Sequence, residues 1–457
     1  MTPAERRAKR AARLRLLAVG IAVLPLGGAA GDPGESLEAE LAAEIAAIRA
    51  VDHHAHPLAV VAPEETDEAY DAIVFDDLEP FDFPVALRPD HPERLAAIRA
   101  LWTPEREGPL DLEAALAAKR RLQGELGESY PSWVLDRLGV DAMFANRLSR
   151  GAGLTPPRFH WVVFVDALLF PLDNERQKEA TPDYRVFYDR IDRLRDRYLE
   201  ACGHRRPPET LDGYLREVVV PTLERFRSEG AVAVKFEAAY FRSLAVDPVD
   251  RSRAEEVYGR SPAPPPAADY KALQDFLFHF IAREAGRLGL AVHIHTGAGA
   301  GAYFQVRQSN PLLLERMLKD PSLSGTRFVL IHGGWPFAQE IQGLLYAPNV
   351  FTDFSLMPSL LSPHALSEIL RDWLSWVPEK VLFGTDAYPY EPLMSWEESA
   401  WVGTRSARKA LAISLAAMIR DGEIDRARAS ELARMALRDN ALRLYGLKGT
   451  EAGPPSP

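Results

Sequence analysis

The feature that most constrains this chain is an alternation. Short apolar runs of strand length are separated by stretches whose apolar residues recur at helical spacing. The runs cover residues 50–51, 140–145, 160–169, 231–236, 290–294, 327–331, 350–354 and 381–383, and helical stretches follow at 211–229, 270–288, 311–318, 363–376 and 406–420. A strand buried on both faces reads as a continuous apolar run, and two parallel strands need a crossover long enough to hold a helix. Eight such runs predict an α/β fold, a (β/α)8 TIM barrel. A helix over 35–50 leads into the first strand. Between 59 and 139 no strong strand is visible, while 94–102 and 112–126 have helical spacing and composition. That pattern predicts a helical lid inserted after strand one. The barrel domain then spans 35–447 and a tail covers 448–457. A length of 457 residues suits one large barrel with insertions. The Pro-rich stretch 261–266 reads as a stiff loop.

Composition narrows the function classes. Hydrophobic residues make up 47% and charged residues 26%, which is globular rather than disordered or fibrous. The formal charge of −11 argues against a nucleic-acid partner, because neutralising phosphates takes clustered Lys and Arg. A small-molecule substrate fits better, and a homo-oligomer stays open. Cys202 is the one cysteine, so no internal disulfide and no cysteine metal cluster can form. Any metal must use His, Asp, Glu or a modified Lys.

The strand ends carry the chemistry. In Val51-Asp52-His53-His54-Ala55-His56-Pro57, alternation puts Asp52, His54 and His56 on one face and His53 on the other. Two imidazoles two residues apart at a strand end can converge on one ion, at about 2 Å from each ring nitrogen. A chance cluster of surface histidines, or His53 packed in a core, is the bland alternative. Catalytic groups of this fold collect at the carboxyl ends of strands. Lys235 ends strand four, His295 strand five, His332 strand six and Asp386 strand eight. Each alone has a structural explanation: Lys235 paired with Glu237, His332 as a hydrogen-bonded wall residue, Asp386 as a helix cap. Their joint occurrence at five strand ends points to one site.

Asp52-x-His54-x-His56, Ile294-His295-Thr296-Gly297, Leu330-Ile331-His332-Gly333 and Phe383-Gly384-Thr385-Asp386 resemble the strand-end motifs of the metal-dependent amidohydrolase superfamily. Within it, the segments 234–242, 307–311, 335–337 and 352–354 look like the amidohydrolase half of nodulin and glutamine-synthetase-like fusion proteins. The resemblance runs from about 50 to about 445 and is weakest over 59–140, and no glutamine-synthetase-like half follows. It implies a divalent metal, zinc first with manganese or a similar ion as alternative, held by His54, His56, His295 and Asp386. His332 would stand beside them as ligand or proton carrier, and Asp386 would double as general base. Hydrolysis of an amide-type C–N bond follows, with γ-glutamyl amides as the substrate class and Arg242, Arg307 and Trp335 as substrate-binding candidates. A decarboxylase or hydratase on the same ligand pattern is the alternative. Barrels of this superfamily hold either one ion or two bridged by a carboxylated strand-four lysine; here one ion is favoured, with Lys235 facing substrate or paired with an acid.

The amino end has Arg6, Arg7, Lys9, Arg10, Arg13 and Arg15, then uncharged residues 16–31 with Gly28-Ala29-Ala30. Basic, apolar and small-residue segments in that order make the pattern of a secretory signal peptide over 1–31, which predicts export to a periplasmic or extracellular space and no stable membrane span after processing. An uncleaved anchor or a cytoplasmic extension are the alternatives. Mass spectrometry of protein from its native host should find a mature amino end near Gly31; an intact amino end in the cytosol would remove the reading.

Overall fold

A computed structural model describes residues 33–62, 64–75, 78, 83–105, 108–260 and 264–448. The proposed signal peptide and the tail beyond Lys448 lie outside the described residues, as does 261–263 of the Pro-rich stretch. Eight strands form one sheet: β1 (Ala50–Ala55), β2 (Val140–Arg147), β3 (Phe159–Phe164), β4 (Ala231–Phe236), β5 (Ala291–His295), β6 (Phe328–Ile331), β7 (Val350–Asp353) and β8 (Val381–Leu382). Each neighbouring pair is parallel, in chain order. The circle closes where His53 N donates to Phe383 O (2.8 Å), Asp386 N to His54 O (2.7 Å) and His56 N to Ala387 O (2.7 Å). This is the predicted (β/α)8 barrel.

Two apolar layers follow from the strand alternation. Val51, Phe144, Val162, Ala233, Ala291, Val329 and Leu382 point inward, and Ala441 and Leu444 of helix Asn440–Tyr445 join them from the floor. The opposite faces pack under the surrounding helices. Among the described residues no helix is long and apolar enough to cross a membrane.

The structure moves several boundaries. The run expected to continue to residue 169 stops as a strand at Phe164, and Asp166–Leu169 is a tight 3-10 turn. Both Asp166 carboxylate oxygens accept from Glu237 N, at 2.9 Å each, which pins that turn to the end of β4. The last long helix begins at Trp396 rather than at 406, under a capping box between Ser395 and Glu398. Helix Arg185–Ala201 went unanticipated although Phe187, Ile191, Leu194 and Tyr198 mark its buried face. Its many charges mask that spacing.

The insertion after β1 contains helices Pro92–Trp102, Leu112–Leu126 and Tyr130–Leu138, and it is docked by buried charge. Lys119 Nζ lies 3.0 Å from both Glu397 and Glu398 at the start of helix Trp396–Arg420. Tyr130 OH donates to Glu397 (2.7 Å) and Trp102 Nε1 to Glu398 (2.6 Å). The part that reaches the barrel mouth is the preceding loop. It is anchored by Arg147 at the end of β2, whose guanidinium makes a two-pronged pair with Asp67 (2.7 and 3.0 Å) and donates to Pro57 O (2.8 Å). Arg147 is 2% exposed, so this pair is taken out of water. Removing one partner of a buried pair leaves the other charge uncompensated, at a cost of roughly 3–5 kcal/mol. Asp67→Asn should lower the unfolding free energy in urea by about that amount; a change below about 1 kcal/mol would show that the loop is held by other contacts.

Candidate active site at the barrel mouth

A cavity of about 520 Å³ opens at the carboxyl ends of the strands. His54, His56, Lys235, His295, His332 and Asp386 all line it. A register irregularity between Asp52 and Ala55 marks the end of β1, and both His54 and His56 reach the cavity. Asp52 does not join them. It accepts from Thr385 Oγ1 (2.6 Å), Thr385 N (3.0 Å) and His54 N (3.3 Å), tying β1 to the loop after β8. Gly384 makes that approach possible, because a Cβ there would stand 2.8 Å from Ser355 Cβ and 3.3 Å from His54 Cβ.

Two site residues hold unusual backbone conformations. His332 has φ 67° and Asp386 φ 56°, the left-handed region that costs a non-glycine residue about 1–3 kcal/mol. Surrounding bonds fix both: His332 N donates to Asp353 Oδ1 (2.8 Å) and Asp386 N to His54 O (2.7 Å). The strain aims each side chain back over the mouth instead of along its strand.

Hydrogen-bond accounting then fixes what each imidazole presents. His295 Nε2 lies 2.8 Å from Ala298 O, and a carbonyl only accepts, so this nitrogen carries the hydrogen and Nδ1 is a lone pair. Ser355 Oγ donates to Asp353 Oδ1 (2.7 Å) and therefore accepts from His332 Nδ1 (2.9 Å), leaving His332 Nε2 as a lone pair. These two lone pairs face each other across 3.2 Å. A cation between them would turn that approach into an attraction. His54 Nε2 lies 3.1 Å from Asp386 Oδ1 and 3.3 Å from Lys235 Nζ, while its Nδ1 lies 3.0 Å from the Asn146 side-chain amide. Asn146 Oδ1 is buried without a partner among the described residues. Asn146 Nδ2 also donates to Ala55 O (3.2 Å) and Phe144 O (3.4 Å), so the amide faces His54 Nδ1 as a donor and the His54 Nε2–H is turned to Asp386. His54, His332 and Asp386 offer ligand atoms within 4.8 Å of one another. Nitrogen lone pairs and a carboxylate in this arrangement fit a divalent ion with N/O preference.

The electrostatics agree. Burial, with Lys235 close by, holds His54 well below its usual range. Burial brings His295 down to about 3 and keeps His332 well below normal, so all three stay neutral. Burial alone would raise Asp386, but His56 and Lys235 hold its carboxyl far below the usual range. His56 differs: burial pushes it down, yet Asp71 and Asp386 overcome this and bring it up to about 10. Its Nδ1 lies 3.2 Å from Asp71 Oδ2 and its Nε2 3.5 Å from Asp386 Oδ1. Asp71 thus holds the ring by Nδ1, with Nε2 turned to Asp386.

Lys235 Nζ stands 3.7 Å from Glu237 Oε1. Burial and the Asp71 charge raise Glu237 well above the carboxylate range, so it is a neutral acid, and its Oε2 is buried without a partner. The three substrate-binding candidates stand elsewhere. Arg242, Arg307 and Trp335 do not line the cavity; the Arg242 guanidinium is engaged by Asp275, Ser243 O and Ala245 O, and Arg307 is exposed. Phe75, Phe83, Tyr240, Leu356, Tyr388 and Tyr390 form much of the wall instead, with Arg88 at the rim. Sequence reasoning missed Asp71, Asn146, Asp166 and Ser355. Asn146 directly follows the apolar run of β2, where the strand-end rule finds it; Asp71 lies in a loop with no periodicity to mark it.

A search of curated proteins found no match. Among solved structures, a protein from Lactobacillus casei inferred to be a metal-dependent hydrolase superposes with a TM-score of 0.56 at 16% identity, covering 89% of this chain and 97% of its own. A uronate isomerase from Thermotoga maritima (TM-score 0.52, 14% identity, 90% and 97% covered) and a glucuronate isomerase from Caulobacter crescentus (0.53, 14%, 91% and 95%) share the same fold. The family profile described as Amidohydrolase matches residues 51–447, from the first barrel strand to the helix that closes its floor, and on that match this chain belongs to the amidohydrolase family.

Proposed function

We propose that the protein is a metal-dependent hydrolase that cleaves an amide-type C–N bond of a small molecule. The observation that carries this reading is the pair of facing lone pairs on His295 and His332 beside a carboxylate, Asp386, that is held ionised. A divalent ion bound there, zinc or manganese, would supply Lewis-acid charge and acidify water toward neutrality. Asp386 accepts the proton of the attacking water. Glu237, neutral and with an unsatisfied oxygen, donates a proton to the departing nitrogen, so the bond breaks without expelling an amide anion. Return of the Asp386 proton to Glu237 restores both groups. The aromatic wall excludes water and favours a substrate with an apolar or aromatic part. γ-Glutamyl amides, the class suggested by the narrower resemblance to the fusion proteins, belong in the assay panel, although their proposed clamps Arg242 and Arg307 are not on the cavity wall.

A second reading is a decarboxylase or hydratase. Glu237 favours it, since a neutral buried acid can also protonate a carbanion. Purified protein assayed against aryl and γ-glutamyl amides, unsaturated and aromatic carboxylates, and uronates separates the readings: amine release supports hydrolysis, carbon dioxide the lyase, and a ketose an isomerase.

Asp386→Asn keeps the shape of the side chain and removes the base. Turnover should fall at least about a hundredfold with little change in KM; a variant retaining a tenth of the rate would rule out proton acceptance by Asp386. Chelation should abolish activity and added zinc or manganese restore it, with metal analysis giving one ion per chain. Two ions per chain, or a carbon dioxide adduct on Lys235, would replace the single-ion arrangement by a bridged pair.

A further inference from the structure

Below the site, inside the barrel, lies a row of polar groups that the reaction does not touch. His53, His293, Asp353 and Ser355 are 0% exposed. Starting from His332 Nδ1, the contacts run to Ser355 Oγ (2.9 Å), from Ser355 Oγ to Asp353 Oδ1 (2.7 Å), and from Asp353 Oδ2 to His53 Nδ1 (3.1 Å). They continue from His53 Nε2 to Tyr445 OH (2.6 Å) and from Tyr445 OH to His293 Nε2 (2.5 Å). Tyr445 ends the helix that closes the barrel floor.

The hydrogens in this row can be assigned one by one. A carboxylate only accepts, so His53 Nδ1 and Ser355 Oγ both donate to Asp353. His53 Nε2 is then a lone pair and takes the Tyr445 hydroxyl hydrogen. The tyrosine oxygen in turn accepts from His293 Nε2–H. That leaves His293 Nδ1 as a bare lone pair, and it is the atom of that ring that is buried without a partner among the described residues. An unsatisfied acceptor is a smaller penalty than a buried orphan N–H, so the row ends where an end is cheapest. Two donor chains thus converge on Asp353, one from His293 through Tyr445 and His53 onto Oδ2 and one from His332 through Ser355 onto Oδ1, and the second requires Nδ1–H on His332.

We propose that Tyr445, His53 and His293 are positioning residues for His332, acting through Asp353 and Ser355 to hold its Nδ1–H tautomer and keep Nε2 a lone pair toward the reaction site. No group in the row gains or loses a proton in this role. The floor of the barrel is thereby coupled to its mouth. The inference rests on the reading of His332 as a metal-site group but not on the substrate class.

The test uses the full chain, stripped of metal and labelled with 15N-histidine, with His332 assigned from the spectrum of His332→Gln. Long-range imidazole spectra report the tautomer, and competition with a chelating dye reports zinc affinity; neither uses substrate. The wild type should show Nδ1–H on His332. Ser355→Ala and Tyr445→Phe should each turn it into a tautomer mixture and weaken zinc binding by roughly tenfold, the lower end of outer-partner effects. A variant that folds with wild-type tautomer and affinity at Ser355→Ala or Tyr445→Phe overturns the proposal. Should Tyr445→Phe not fold, His293→Phe, which removes the donor to the tyrosine oxygen, takes its place with the same two outcomes. A purely structural role for Tyr445 would lower stability and leave the His332 tautomer where it was. Failure of the hydrolase assays with the tautomer result intact would fault the proposed reaction and not this relay.

Discussion

The seam between β1 and β8 is the constraint on which the site depends. Strand β8 has two residues in register, Val381 and Leu382, and closure is carried past its end by backbone bonds from Asp386 to His54 and from His56 to Ala387. Those bonds bring the two histidines of one strand end within reach of the aspartate of another. Asp52 reinforces the seam from behind by accepting from both the backbone and the hydroxyl of Thr385. Desolvation raises its carboxyl to about 7 despite these bonds, so the seam contains a group poised between charged and neutral near physiological pH. Closure of the barrel and assembly of the site are the same set of hydrogen bonds.

Once the seam is set, strain and burial do the rest. Left-handed backbone at His332 and Asp386 turns two side chains over the mouth, and the energy it costs is met by bonds to Asp353 and His54. Burial then sorts the titratable groups. Imidazoles surrounded by Lys235 and each other are kept neutral, the carboxylate among them is kept charged, and the carboxyl beside Asp71 is kept protonated. Groups driven apart in this way can act as acid and base at one pH.

The barrel was legible because apolar runs and helical spacing are local signals. The strand-end residues His54, His56, Lys235, His295, His332 and Asp386 were legible because the fold puts such positions on one rim, and all six line the cavity. What the sequence hid depends on tertiary contact. Asp71 matters through a loop held by the Arg147–Asp67 pair, and no spacing links residue 67 to residue 147. Arg242 read as a substrate-binding candidate in the sequence, whereas in the fold Asp275 occupies its guanidinium. His53 was expected on the face opposite His54, whereas the register irregularity between Asp52 and Ala55 lets it turn into the barrel interior beneath the cavity that His54 lines. Asp353, Tyr445 and His293 come from three other segments of the chain and meet it on the barrel axis.

That axial row bears on why the floor of this barrel is polar where side chains of Val, Leu and Ile would pack more cheaply. A buried histidine pair and a tyrosine hydroxyl each carry a desolvation cost that only complete hydrogen bonding offsets. Here the bonding is complete except for one acceptor, His293 Nδ1. An apolar floor of equal volume would still close the barrel, but it would leave Asp353 Oδ2 without its donor and Asp353 free to rotate away from Ser355 and the His332 backbone. The strained turn at His332 depends on that carboxylate. Polar groups at the floor are therefore part of what holds the backbone at the mouth in its left-handed conformation, a link between two ends of the barrel that runs through the Asp353 carboxylate.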